Sequence, residues 1–204
     1  MKKIENVILD LGGVLLDIDY NLTRAAFEKL DVENFEEMFS QINADSLFQK
    51  LETGHISEEE FFKSLKEKAG LHLSIPQITE AWNAMLLQFR ESSLAFLETL
   101  SSKYNLYLFS NTNFIHIRAF KEIYNQTTRS HSFDDYFSKT FYSCEIGYRK
   151  PNAESYQWIL NDLKIQPGTT LFIDDSIQNI EAAESLGMQV VHLIPSKKIE
   201  DLDW

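Results

Sequence analysis

The sequence predicts a doubly wound α/β protein with a helical bundle inserted after its first strand, and three observations lead there. Val7-Ile8-Leu9 is a continuous apolar run that ends in a carboxylate, Asp10, followed by Leu-Gly-Gly. Apolar residues without polar alternation mark a strand buried on both faces, as in a parallel sheet. From Tyr20 to about Phe89 the apolar residues recur at helical spacing and no strand is expected. After Glu91, strand and helix patterns take turns to the end of the chain, which is the signature of an α/β layer architecture.

The elements follow in order. Leu22, Ala25, Ala26 and Leu30 share one helical face, then Phe35, Met38, Phe39 and Ile42, then Leu47, Phe48 and Leu51. Gly54 breaks the last of these helices, and Ser57-Glu58-Glu59-Glu60 reads as a capping box for a helix that carries Phe61, Phe62 and Leu65. Ile75-Pro76 opens one more helix, which gives a bundle of four or five. Next come a helix over Leu94 to Lys103, a strand over Leu106 to Phe109, a helix over Phe114 to Tyr124 and a strand near Thr140 to Tyr142. A helix after Pro151 to Leu163, a strand Thr170 to Ile173, a helix Ser176 to Leu186 closed by Gly187 and a strand Gln189 to Leu193 complete the chain. Asn125 to Asp135 is the one long polar connection and is expected to be a solvated loop.

Composition narrows the function classes. The 204 residues carry 19 Lys and Arg against 31 Asp and Glu, a net charge of −12, and no basic cluster offsets it. Nucleic acid and anionic membrane surfaces are disfavoured partners. A lone Cys144 precludes an intramolecular disulfide and suits a core thiol, and no apolar run is long enough for a membrane span. The expected compartment is the cytoplasm.

Ligands of open α/β sheets bind beyond the carboxyl ends of the strands, and these ends are chemically loaded here. They read Asp10-Leu11-Gly12-Gly13, Ser110-Asn111-Thr112-Asn113 and Asp174-Asp175-Ser176, with Gly147-Tyr148-Arg149-Lys150-Pro151 before a further helix. Each alone is ordinary turn or cap chemistry. Brought together, the carboxylates of Asp10, Asp174 and Asp175 repel one another unless a cation joins them, and hard oxygen donors suit Mg²⁺. A lysine and a serine hydroxyl beside such a site meet the needs of a phosphoryl group.

The four segments "LDLGGVL", "LFSNT", "YRKP" and "FIDDS" occur in the order found in the haloacid dehalogenase-like hydrolase superfamily, which the chain resembles along its whole length. The segments "DLGGVLLDIDY", "ETGHISEEEF", "SNTNFIH" and "RKPNAESYQWIL" are similar to the bacterial glucose-1-phosphate phosphatase-like branch. The resemblance implies a Rossmann-like core over residues 1–16 and 91–204, and a helical cap over 17–90. It also implies Mg²⁺-dependent hydrolysis of a small phosphorylated metabolite, a sugar phosphate in the first instance, through an aspartyl-phosphate. Asp10 would be the nucleophile, and Ser110, the Asn111 backbone N–H and Lys150 would hold the phosphoryl oxygens. Asp10, the Gly12 carbonyl, Asp174 and Asp175 would hold Mg²⁺, and Asn179 would orient the acidic loop. Asn113 and His116 fall at the substrate-facing rim.

One position departs from that pattern. The superfamily's first motif carries a second Asp two residues after the nucleophile, a general acid–base group, and this chain has Gly12 there. Such a group contributes roughly 10²–10⁴-fold. An activated leaving group, or a proton from Asp17, Asp19 or Glu52, would repair the loss; a protein that binds phosphate without cleaving it is the alternative. A 2-haloacid dehalogenase would also use Asp10 but has no use for Asp174-Asp175.

Overall fold

The computed structural model describes residues 3–32, 46–69, 72–127 and 129–204. Five parallel strands form the main sheet: β1 (Asn6–Leu9), β4 (Asn105–Ser110), β5 (Lys139–Tyr142), β6 (Thr170–Asp174) and β7 (Gln189–His192), in the order β5-β4-β1-β6-β7. The continuous apolar runs are explained by burial on both sides. Val7 and Leu9 of β1, Leu106 and Leu108 of β4, and Leu171 and Ile173 of β6 point to one face. Ile8, Tyr107, Phe109 and Phe172 point to the other.

Helices α5 (Glu91–Ser101) and α6 (Phe114–Asn125) cover the first face with Leu94, Leu97, Leu100, Ile117 and Phe120. Helices α8 (Ala153–Leu163) and α9 (Ile177–Ser185) cover the second with Tyr156, Ile159, Ile180 and Ala183. A single-turn helix, α7 (Ser143–Ile146), follows β5 directly. The chain builds outward from β1 through β4 to β5, then crosses back to β6 on the other side of β1. That reversal opens a crevice at the carboxyl ends of β1 and its neighbours.

Among the described residues, the segment between β1 and α5 contains four helices: α1 (Tyr20–Glu28), α2 (Leu47–Glu52), α3 (Glu58–Ala69) and α4 (Ile75–Asn83). They share a hydrophobic cluster of their own, with Phe27, Phe48, Leu51, Phe61, Phe62, Leu65, Ile78 and Trp82, joined by Ile115 from α6. The ring of Phe48 stacks on that of Trp82 at 4.9 Å. The expected capping box at α3 is formed: Ser57 N donates to Glu60 Oε2 at 2.7 Å and Glu60 N to Ser57 Oγ at 3.2 Å. Ser74 and Gln77 form a second box at α4. The helix expected through Phe35, Met38, Phe39 and Ile42 lies outside the described residues.

Two expectations are corrected. The stretch to Phe89 is not free of strands: β2 (Leu16–Ile18) and β3 (Leu86–Phe89) pair antiparallel, with Leu16 opposite Phe89. β3 lacks the period-two signal because Leu87 and Gln88 are both exposed, so its apolar residues resemble the end of the preceding helix. The connection after α6 is not simply solvated either. Phe133 and Tyr136 are buried against the main core, and Arg129 Nη1 reaches Glu91 Oε2 at 2.7 Å.

Candidate active site

The last residue of β4 and the residues just after β1 and β6 converge where the sheet order reverses. Asp10 follows β1 directly, and its backbone N–H extends the ladder to Ile173 O at 2.9 Å. The chain then doubles back tightly: Gly13 N donates to Leu16 O at 2.9 Å, and Leu15 N and Leu16 N both donate to Leu11 O. Gly13 has φ +68°, and a Cβ there would lie 2.1 Å from Asp175 Oδ2. Only glycine accepts both that backbone and that approach.

Lys150 is 1% exposed and organises the floor of the site. Its Nζ donates to Asp10 Oδ1 at 2.6 Å, Asp174 Oδ2 at 2.7 Å and Phe109 O at 2.9 Å. Burial works against the ammonium, but the charges of Asp10 and Asp174 outweigh it and hold the Lys150 pKa above the ordinary lysine value. Burial also raises the Asp10 carboxyl, with Lys150 opposing the shift and Asp174 adding to it. Asp175, more open, is likewise raised by partial burial and by the neighbouring Asp174 charge.

The two adjacent aspartates have different surroundings. Asp174 is fully buried, and both its oxygens are engaged, accepting from Ser176 N at 2.8 Å, Asn179 Nδ2 at 2.9 and 3.1 Å, and Lys150. Asp175 is exposed, and its carbonyl meets His192 Nε2 at 2.9 Å. Carboxylate oxygens of Asp10, Asp174 and Asp175 lie within 4.8 Å of one another. A cluster of hard, mutually repelling oxygen donors fits a divalent cation such as Mg²⁺, and the missing Gly13 Cβ leaves the room in which Asp175 faces it.

A cavity of about 290 Å³ lies above this floor, lined by Asp10, Gly12, Ser110, Asn111, Lys150 and Asp175 together with Tyr20, Glu52 and Met85 from the helical segment. It adjoins a chamber of about 540 Å³ lined by polar side chains that include Asn21, Gln49, Asn113 and Arg149, with Phe48 and Trp82 on its apolar side. Tyr20, Glu52, Met85, Asn111, His116 and Arg149 border both.

The remaining expected site residues fall into place unevenly. Asn111 lines the cavity, but its side chain also clamps the lysine loop: Nδ2 donates to Lys150 O and Oδ1 accepts from Lys150 N, both at 2.9 Å. Asn113 is the N-cap of α6, accepting from His116 N at 3.0 Å. His116 borders both cavities yet is 8% exposed, stacks on Trp82 at 5.5 Å, and is held by burial at a pKa of about 4. Asp17 is turned away to Arg90 Nε at 2.7 Å. Asp19 caps α1 through Asn21 N at 2.9 Å. Cys144 is a buried free thiol that burial pushes up to about 12. Sequence reasoning missed Tyr20 and Arg149 as site residues; Arg149 was visible only as the neighbour of Lys150. Tyr20 is 68% exposed, yet desolvation and then the charges of Asp10, Asp175 and Glu52 raise its phenol, which places it within their field.

The haloacid dehalogenase-like hydrolase family model matches residues 4–187. The chain belongs to this family. A D-ribitol-5-phosphate phosphatase of Bacteroides thetaiotaomicron is 30% identical over 187 residues, 91% of this chain and 90% of that protein. A crystal structure of a haloacid dehalogenase family enzyme of the same organism, in complex with magnesium and inorganic phosphate, superposes with a TM-score of 0.90 at 34% identity, covering 98% of this chain and 100% of that one. A predicted hydrolase of this family from Porphyromonas gingivalis gives 0.85 at 30% identity, over 95% of this chain and 93% of that one. No helix among the described residues is long and apolar enough to cross a membrane.

Proposed function

We propose that the protein is a Mg²⁺-dependent phosphatase of a small phosphorylated polyol or sugar, working through an aspartyl-phosphate on Asp10. The observation that carries this reading is the convergence of Asp10, Ser110, Lys150 and Asp175 on one cavity at the sheet's switch point. Asp10, Asp175 and the Gly12 carbonyl would hold the cation, which when bound neutralises charge on phosphoryl oxygens. Asp174, expected from the sequence as a further ligand and part of the same carboxylate cluster, is read instead as holding Lys150 and Asn179 in place, because both its oxygens already accept hydrogen bonds.

In the reaction, Asp10 attacks phosphorus in line. Ser110 donates its hydroxyl, and Asn111 its backbone N–H, to phosphoryl oxygens. Lys150, already pinned between two carboxylates and the Phe109 carbonyl, faces the growing negative charge with no further reorganisation. The helices α1–α4 serve as a cap, and their polar chamber takes the hydroxylated part of the substrate while excluding water. The D-ribitol-5-phosphate phosphatase and the magnesium and phosphate complex among the relatives support this substrate class and cofactor. Such a metabolite fits an enzyme of the cytoplasm.

The test is phosphate release from a panel of anomeric, terminal-hydroxyl and polyol phosphates with Mg²⁺ or EDTA. Turnover that EDTA and Asp10→Asn both abolish supports the reading. Wild-type rates in Asp10→Asn, or silence of the wild type across the panel, would refute it, and silence with retained phosphate binding would favour a non-catalytic binding protein.

A further inference from the structure

Gly12 offers no side chain to move a proton, and a Cβ there would stand 3.0 Å from the Ile18 Cδ1 tip, which would have to give way by a few tenths of an ångström. Proton transfer therefore has to come from another direction. Of the carboxylates near the start of the helical segment, Asp17 is held by Arg90 and borders a separate hollow with Phe89 and Arg90. Asp19 Oδ1 accepts from both Asn21 N and Asn21 Nδ2.

Glu52 is also paired with an arginine, Arg149, but unlike Asp17 and Asp19 it lines the phosphate cavity. It is the last residue of α2 and borders both the phosphate cavity and the polar chamber. An ester spanning the two would carry its bridging oxygen past their shared wall, which Glu52 forms with Tyr20, Met85, Asn111, His116 and Arg149. The position is fixed by a close contact with the sheet domain. Gly54, with φ +67°, lies so near α7 that a Cβ would come 2.3 Å from the Cys144 carbonyl oxygen. From the other side, Arg149 Nη2 meets Glu52 Oε2 at 3.0 Å, and Arg149 Nε is buried without a hydrogen-bond partner.

We propose that Glu52 performs the proton transfers for which residue 12 has no side chain, an assignment that rests on the phosphatase reading above. In the first step the Asp10 carboxylate forms a bond to phosphorus, the bond from phosphorus to the ester oxygen breaks, and Glu52 gives its proton to the departing alkoxide. In the second step Glu52, now a carboxylate, takes a proton from the attacking water. The new bond forms from water to phosphorus, the bond from phosphorus to Asp10 breaks, and phosphate leaves with Asp10 and protonated Glu52 restored.

The surroundings suit this role. Burial raises the Glu52 carboxyl, and Arg149 opposes the shift without cancelling it. The charged groups that share its two cavities are Arg24 and Arg149 on the chamber side and Asp10, Lys150 and Asp175 on the phosphate side; the remaining titratable neighbours are the Tyr20 phenol of α1, the Cys144 thiol of α7 and the His116 ring of α6. Tyr20 and Cys144 have raised pKa values and His116 a pKa of about 4, so these three are neutral at pH 7 and the charged groups set the field at Glu52.

The experiment compares wild type, Glu52→Gln and Glu52→Asp with Mg²⁺ on D-ribitol 5-phosphate and on p-nitrophenyl phosphate, by rapid quench and across pH. Glu52→Gln is expected to lose ~10²–10⁴-fold in kcat on the polyol ester. On the aryl ester it should release one equivalent of nitrophenol in a burst and then turn over slowly, because that leaving group needs no acid while the water still needs a base. Glu52→Asp should recover part of the rate. Glu52→Gln with unchanged kcat and a raised KM, or with slow turnover and no burst, overturns the assignment in favour of substrate contact or of Arg149 positioning. An active wild type with such a variant refutes Glu52 alone. A wild type silent on both esters and across the panel above refutes the phosphatase reading and this assignment with it.

Discussion

Gly13→Ala tests the link between the tight turn after β1 and the cation site. The added methyl has two separable costs. A non-glycine residue at φ +68° is disfavoured by about 1–2 kcal/mol. The same methyl lies 2.1 Å from Asp175 Oδ2 and 2.6 Å from its Cγ, far inside van der Waals contact. The obstacle is a side-chain carboxylate on an exposed residue, so it yields by rotating away from Asp10 and the fold survives.

Gly187→Ala supplies the control, because its φ is +84° and nothing lies within 4 Å of its added Cβ. Both variants should lose about 1–2 kcal/mol in urea unfolding. Only Gly13→Ala should require more Mg²⁺ for half-maximal activity, roughly 10–100-fold more, as for other disturbances of metal-ligand orientation. Titration of phosphate release with Mg²⁺ measures it. Equal Mg²⁺ requirements in Gly13→Ala and wild type would show that Asp175 takes no part in holding the cation.

Lys150→Met leaves Asp10 and Asp174 facing each other without their buried counter-ion. Breaking such a pair costs about 3–5 kcal/mol, and turnover should fall below detection even where circular dichroism shows a folded protein. His116 gives a pH signature: its folded pKa of about 4 lies below the unfolded value of about 6.5, so the unfolded chain binds the proton first. Stability is intact above pH 6.5 and is lost as pH falls towards 4, by up to about 3 kcal/mol; His116→Gln should remove most of that acid limb in urea titrations at stepped pH. Cys144, with its pKa raised to about 12, should resist iodoacetamide at pH 8 in the folded protein and react once urea unfolds it.

The parallel sheet was legible because burial on two faces leaves no polar alternation, and β1, β4 and β6 show it in single runs such as Val7-Ile8-Leu9. The site was legible for a related reason, since a doubly wound sheet collects whatever follows its strands at one edge. Properties set by three-dimensional neighbours were not legible. Adjacent letters in Asp174-Asp175 conceal one carboxylate saturated by Lys150 and Asn179 and another that is open. Asn113 and His116 read as rim residues because α6 starts at the site, yet the cap hydrogen bond and the Trp82 stack draw both largely out of solvent. β3 escaped because a four-residue strand with two exposed central residues carries no period at all.

The small ribbon of β2 and β3 has a consequence of another kind. Leu16 lies opposite Phe89, and Arg90 N donates to Leu15 O at 2.9 Å, so the chain departs for the helices and comes home through one doorway. All five strands of the main sheet lie outside the stretch between those two sills. Changes in this annexe would therefore reach the chamber and, through Glu52, the proposed proton transfer, while Asp10, Ser110, Lys150 and Asp175 lie on the stretches of chain outside it.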